Sequence, residues 1–113
     1  MVLSNDGKNR IRDLIILDLD SGEHGTVGTS PTVTDTDLGA GVTATNAVLS
    51  TTTGNKLINN SHILLSTIGN GTTYKEYGIF MNGGAVMLDH LVYPDFAKTS
   101  SIELHTIITM RIE

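Results

Sequence analysis

The sequence predicts an all-β chain: an antiparallel β-sandwich, jelly-roll-like, of about six strands, with a long loop or arm in its N-terminal half. Three observations predict it. Sixteen of the 113 residues are Thr, and Val and Ile are frequent; β-branched side chains are stiff at χ1 and fit a pleated, half-buried surface. Gly and Asn punctuate the chain densely, as short strands joined by tight turns require. From Ile102 onward the residues alternate with period two. Ile102, Leu104, Thr106, Ile108, Met110 and Ile112 take one parity, and Glu103, His105, Ile107, Thr109 and Arg111 the other. That alternation describes a strand with one face against a core and one in water.

Taken in order, residues 1–10 read as an extended arm. Residues 12–19 (Arg-Asp-Leu-Ile-Ile-Leu-Asp-Leu) fit a buried strand or the end of a short helix, since Ile11, Leu14 and Ile15 share a helical stripe. The pair Ile15-Ile16 and the Asp-Ser-Gly stop favour the strand. Residues 20–41 are rich in Gly, Thr, Ser and Asp and nearly free of large apolar side chains, the composition of a long functional loop or arm. Residues 42–50 read as a strand and 51–55 as the turn after it. The runs 56–67, 73–81, 85–93 and 102–112 then read as a four-stranded meander. Asn70-Gly71 and Asn82-Gly83-Gly84 supply its turns, because Asn-Gly tolerates positive φ. Pro94 cannot donate to a ladder and is expected to end the third of these strands, with 95–100 as the last connection.

A chain of this length forms one domain and buries roughly two-thirds of its unfolded surface. Seven Lys and Arg against twelve Asp and Glu give a net charge of −5. Nucleic acid and anionic membrane, which need a basic face, are therefore not expected as partners. Without Cys, disulfide frameworks, Cys-based zinc sites and thiol chemistry are excluded. The N-terminus shows no basic stretch followed by an apolar one, so no secretory signal is expected.

No catalytic residues, cofactor or metal are expected. Asp18, Asp20, Asp35 and Asp37 are the carboxylates on which a calcium-binding alternative would draw, since Ca²⁺ needs several converging oxygens. Asp18-Leu19-Asp20-Ser21-Gly22-Glu23 lacks the distal Glu of a calcium loop, however, and a turn explains it. His24, His62, His90 and His105 show no ligand spacing and read as surface residues. Glu76 shares a parity with Tyr74, Gly78 and Phe80. The structural reading is that its carboxylate takes donors from an adjacent loop for which Gly78 leaves room; the alternative is a lone buried catalytic acid.

Gly25-Thr26-Val27-Gly28-Thr29-Ser30-Pro31-Thr32-Val33-Thr34-Asp35-Thr36-Asp37-Leu38-Gly39 resembles a segment of small tailed-phage virion proteins. In those a Gly-Thr-Gly-Thr-like stretch leads into a Pro-Thr-x-x-Asp-Thr-x-Leu run. The series continues through Asn70-Gly71-Thr72-Thr73, Glu76-x-Gly78-Ile79-Phe80, Asn82-Gly83-Gly84 and Met87-Leu88. It closes with Phe96-x-Lys98-Thr99-Ser100-Ser101-Ile102-Glu103-Leu104 and an alternating terminal strand, so that it spans roughly residues 25–113. Val27 stands where a Gly doublet is more usual, and residues 12–23 have no counterpart. The resemblance implies a non-enzymatic virion building block, most economically a capsid decoration protein, with a tail, neck or fibre-base component as the alternative. Its implied partners are itself, as a trimer or other homo-oligomer, and the major capsid or tail proteins. A calcium- or carbohydrate-binding β-sandwich module is the reading from a different class.

Overall fold

The computed structural model of the chain describes residues 2–43, 46–50 and 57–112. One helix, α1 (Asn5–Asp18), precedes seven strands: β1 (Leu19–Gly25), β2 (Val42–Thr43), β3 (Asn46–Ser50), β4 (Leu57–Leu64), β5 (Thr73–Met81), β6 (Val86–Ala97) and β7 (Leu104–Arg111). They form two antiparallel sheets, one in the order β2-β1-β5-β6 and one in the order β3-β4-β7. The turn expected at 51–55 lies outside the described residues, as do two residues of the strand expected over 42–50.

The helix corrects both the arm expected over 1–10 and the strand expected over 12–19. Ser4 is its N-cap: the hydroxyl accepts the Gly7 N–H at 3.0 Å, and Asp6 sits in the first turn. That satisfies an otherwise orphaned donor and places a negative charge at the positive end of the helix dipole. The 3.6-residue stripe then turns Ile11, Arg12, Ile15 and Ile16 half inward and leaves Leu14 and Leu17 exposed. The helix lies against β4 without burying any residue completely.

The loop is shorter than the expected 20–41, because 19–25 pair with β5 and it begins only at Thr26. A bulge at Asp20 leaves that side chain exposed. The expected meander is also corrected. β4 and β7 pair with each other in one sheet, while β5 and β6 form a hairpin in the other, so 65–72 cross between sheets. The crossing is held by buried Lys98, whose ammonium donates to the Leu65 carbonyl and the Asn70 side-chain oxygen, each at 2.8 Å. Gly71, at φ +79°, bonds through its N–H to the Lys98 carbonyl. The β5–β6 hairpin does turn at Asn82 and Gly83, with φ of +55° and +64°. Pro94 does not end β6. It lies in a bulge of a strand at the sheet edge, where a missing N–H costs no ladder bond.

β5 is the central strand, and from Glu76 to Phe80 it is buried on both faces. Tyr77 meets the other sheet, whereas Glu76 and Gly78 meet the loop. Close approach between the sheets depends on Gly22 of β1. A Cβ there would collide with the Tyr77 hydroxyl and with Nδ1 of His62. Gly28 stands in open surroundings beside the Lys75 stem. Gly22→Ala is expected to cost about 1–3 kcal/mol by overpacking, and Gly28→Ala close to nothing, in urea midpoints measured side by side.

Candidate functional site

The most organised polar site is on the outer face of the first sheet, where the loop 26–41 folds back over β5 and β6. Its centre is Glu76, a carboxylate on the central strand with a 2 % exposed side chain. Oε2 accepts the Val27 N–H at 2.7 Å and the Gly39 N–H at 3.1 Å, so one buried oxygen joins the two ends of the loop. The Thr26 N–H closes the same neck on the Gly39 carbonyl at 2.8 Å. Gly25 makes the approach possible, since a Cβ on it would stand 2.6 Å from Oε2. Oε1 lies 2.9 Å from Nε2 of His90, on β6. Nδ1 of His90 lies 2.9 Å from Oδ2 of Asp35, in the middle of the loop. Asp35 in turn accepts the Thr32 N–H at 2.8 Å and the Thr32 hydroxyl at 2.7 Å. Those bonds from Thr32, and then His90, hold the Asp35 carboxyl below its ordinary range. Leu38 is buried across Gly78, and a hollow of about 310 Å³ lined by Thr29, Ser30 and Asp37 remains beside the cluster.

This arrangement holds the loop. Both nitrogens of His90 face carboxylate oxygens, and Glu76 has partners on both of its own.

A second polar cluster joins the sheets from inside. The His24 ring, on β1, lies 2.8 Å from the Tyr93 hydroxyl through Nδ1 and 3.0 Å from the Thr106 hydroxyl through Nε2. The Tyr77 hydroxyl bonds to Nδ1 of His62, on β4. The rings of His24 and Tyr77 stand 4.8 Å apart. Burial, and then the neighbouring His62, push the His24 ring down to about 4. Burial lowers His62 and raises the Tyr77 and Tyr93 hydroxyls. Hydroxyls suit this position because each can donate or accept, so a neutral imidazole is satisfied in either tautomer. Asn60, two residues before His62 on the same face, is also buried, and its amide bonds to nothing among the described residues.

Three of the four histidines thus depart from the surface positions expected of them. His24 and His62 are buried and His90 is nearly so, because tyrosines, a threonine and two carboxylates supply the partners that water would; His105 is exposed. The alternation Ile58, Asn60, His62, Leu64 carries a signal for one of them, since it places His62 on an apolar face. The four aspartates do not come together. Asp18 ends α1, Asp20 lies beside the Gly83-Gly84 turn, Asp35 serves His90, and Asp37 accepts its neighbour's N–H. Among the described residues no three Asp, Glu or His side chains converge as metal ligands do. Buried Lys98 is a residue that sequence reasoning passed over. A lone Lys carries no periodic signal, and its acceptors lie about 30 residues away in the chain. No protein-family model, curated protein or solved structure matches the chain.

Removing the Glu76 carboxylate leaves two part-buried N–H groups without their acceptor. Glu76→Ala is expected to cost about 3 kcal/mol and to open 26–41 to proteases. Glu76→Gln, which keeps one oxygen on both N–H groups and turns its amide to His90, retains more than half of that stability. Urea titration and limited proteolysis measure both.

Acid acts on the interior cluster. The unfolded His24 ring takes its proton near 6.5 and the folded one near 4, so the unfolded state binds more protons between them. The contribution is complete above about pH 6.5 and is lost as pH falls toward 4, on the order of 2–3 kcal/mol. Urea midpoints across that interval should fall steeply for the natural chain and less for His24→Asn.

Proposed function

We propose that this chain is a structural protein of a tailed-virus particle, acting through its surfaces, and that its two sheets are the halves of a β-sandwich body. The observation that carries the reading is the loop 26–41. It has no strand or helix of its own, yet its neck and middle are bonded to the sheet through Glu76, His90 and Asp35. A loop held so firmly presents a fixed outer surface, and there Val33 and Val27 are exposed. That suits a contact with a neighbouring protein better than a lid, which has to move. The same loop carries the first part of the motif series that resembles small virion proteins. Exposed Val2, Leu3, Leu14 and Leu17 on and before α1 add a second apolar surface. Decoration of the capsid is the specific role proposed, with a tail, neck or fibre-base position as the second reading.

Purified chain is expected to co-sediment saturably with emptied capsids of the virus that encodes it, and Val33→Asp to weaken that binding without changing the urea midpoint. Binding to tails and not to capsids would select the second reading. Binding to neither would remove both.

A further inference from the structure

We infer that the outer edge of β7, which no other described strand covers, is a self-association site, where two copies of this chain join antiparallel about a twofold axis through Ile107. This contact goes beyond the reading above and stands or falls separately from the particle role.

A strand at a sheet edge presents unpaired N–H and C=O groups, and proteins usually blunt such edges with short strands, Pro, bulges or charge. The first sheet follows that practice at both ends: β2 is two residues long, and β6 carries Pro94 and two register shifts. β7 does not follow it. It runs eight residues in unbroken register with β4, contains no Pro or Gly, and has one charged residue, Arg111, at its end. Its outward side chains are His105, Ile107, Thr109 and Arg111, and Ile107 in the middle is 73 % exposed. A hollow of about 270 Å³, lined in part by Leu91, Tyr93 and Leu104, lies between β6 and β7 next to this edge.

The residues of β7 are complementary to themselves in one register. Pairing about Ile107 sets Ile107 against Ile107 of the second copy, His105 against Thr109, and Glu103, the residue just before the strand, against Arg111. On the inner face Leu104 meets Met110 and Thr106 meets Ile108. Opposite charges therefore meet at both ends and apolar side chains at the centre, the cross-strand combinations that stabilise an antiparallel pair. A one-residue slip in register would set outward side chains against inward ones, and moving the axis a whole residue, to Ile108, would set His105 against Arg111 and lose the pairing of Glu103 with Arg111. Because the contact is isologous, it closes at two copies and joins two three-stranded sheets into one of six.

The chain has no Cys, so a single introduced thiol reports the register. Directly opposed Cα atoms lie about 4.5–5.5 Å apart, within the window of about 4.4–6.8 Å that a disulfide spans. Under mild oxidation Ile107→Cys is expected to form a covalent dimer. Thr109→Cys, whose symmetry mate would be roughly 13 Å away at about 3.3 Å per residue, is expected not to. In sedimentation equilibrium Glu103→Arg should weaken the dimer about tenfold at low salt. Glu103→Arg with Arg111→Glu should restore it. A chain that stays monomeric at about 0.1 mM, equal cross-linking at both positions, or a double exchange that fails to restore association would overturn the inference. A larger oligomer or capsid binding indifferent to these changes would overturn the β7 contact and leave the particle reading standing. A β7 dimer without affinity for capsid or tail supports the contact and removes the particle reading.

Discussion

One buried carboxylate organises much of this structure. Glu76 is on the strand with neighbours on every side, and an ionised group taken from water there is tolerated only if hydrogen bonds replace its hydration. The replacements come from the chain itself: two loop N–H groups on one oxygen and an imidazole on the other. Satisfying Glu76 therefore requires the loop 26–41 to return to the sheet, which draws its neck together, seats Leu38 over Gly78 and sets Asp35 against His90. A stretch of Thr, Ser, Asp and Gly that could not fold by burying apolar side chains is ordered by an electrostatic requirement of the sheet beneath it.

The interior answers a related problem. Between the sheets the chain places His24, His62, Tyr77, Tyr93 and Thr106, joined by ring contacts and hydrogen bonds. Such a network specifies a geometry more sharply than an aliphatic core does, because each donor needs its acceptor at one place. It also makes the junction of the sheets sensitive to acid, since a protonated ring keeps its bonds but loses its hydration. Lys98 repeats the principle at the crossing between the sheets, where carbonyl and amide oxygens surround a buried ammonium. Buried polar groups, then, hold the loop, the sheets and the crossing.

Edges show a different economy. The two-residue β2 and the bulged, Pro-bearing β6 discourage further pairing, while β7 leaves a regular edge open. The regular edge of β7, unlike the two edges of the first sheet, draws attention to the residues that line it.

Local order was legible in the sequence where it depends on period and turn chemistry alone. Strand β7, the turn at Asn82-Gly83 and the central run 73–81 follow from alternation and from residues that tolerate positive φ. The N-terminal helix was partly legible, in the stripe of Ile11 and Ile15, but its deciding signal is the Ser4 cap eleven residues before Ile15. Partnership between distant segments could not be read there. Period two says that a strand has two faces, but it does not say which sheet the strand joins, so 65–72 looked like a hairpin and is a crossing. Composition marked His24 and His62 as polar and hence external, and gave no signal for Lys98. Burial of a polar side chain depends on partners brought in by the fold, tens of residues away in the chain. The sequence by itself determined the β character, the turns and the alternating faces, because these rest on sterics within a few residues. Tertiary structure alone decided the pairing of the strands, the return of the loop to Glu76 and the protonation of His24, because each depends on the free energy of groups that meet only when the chain is folded.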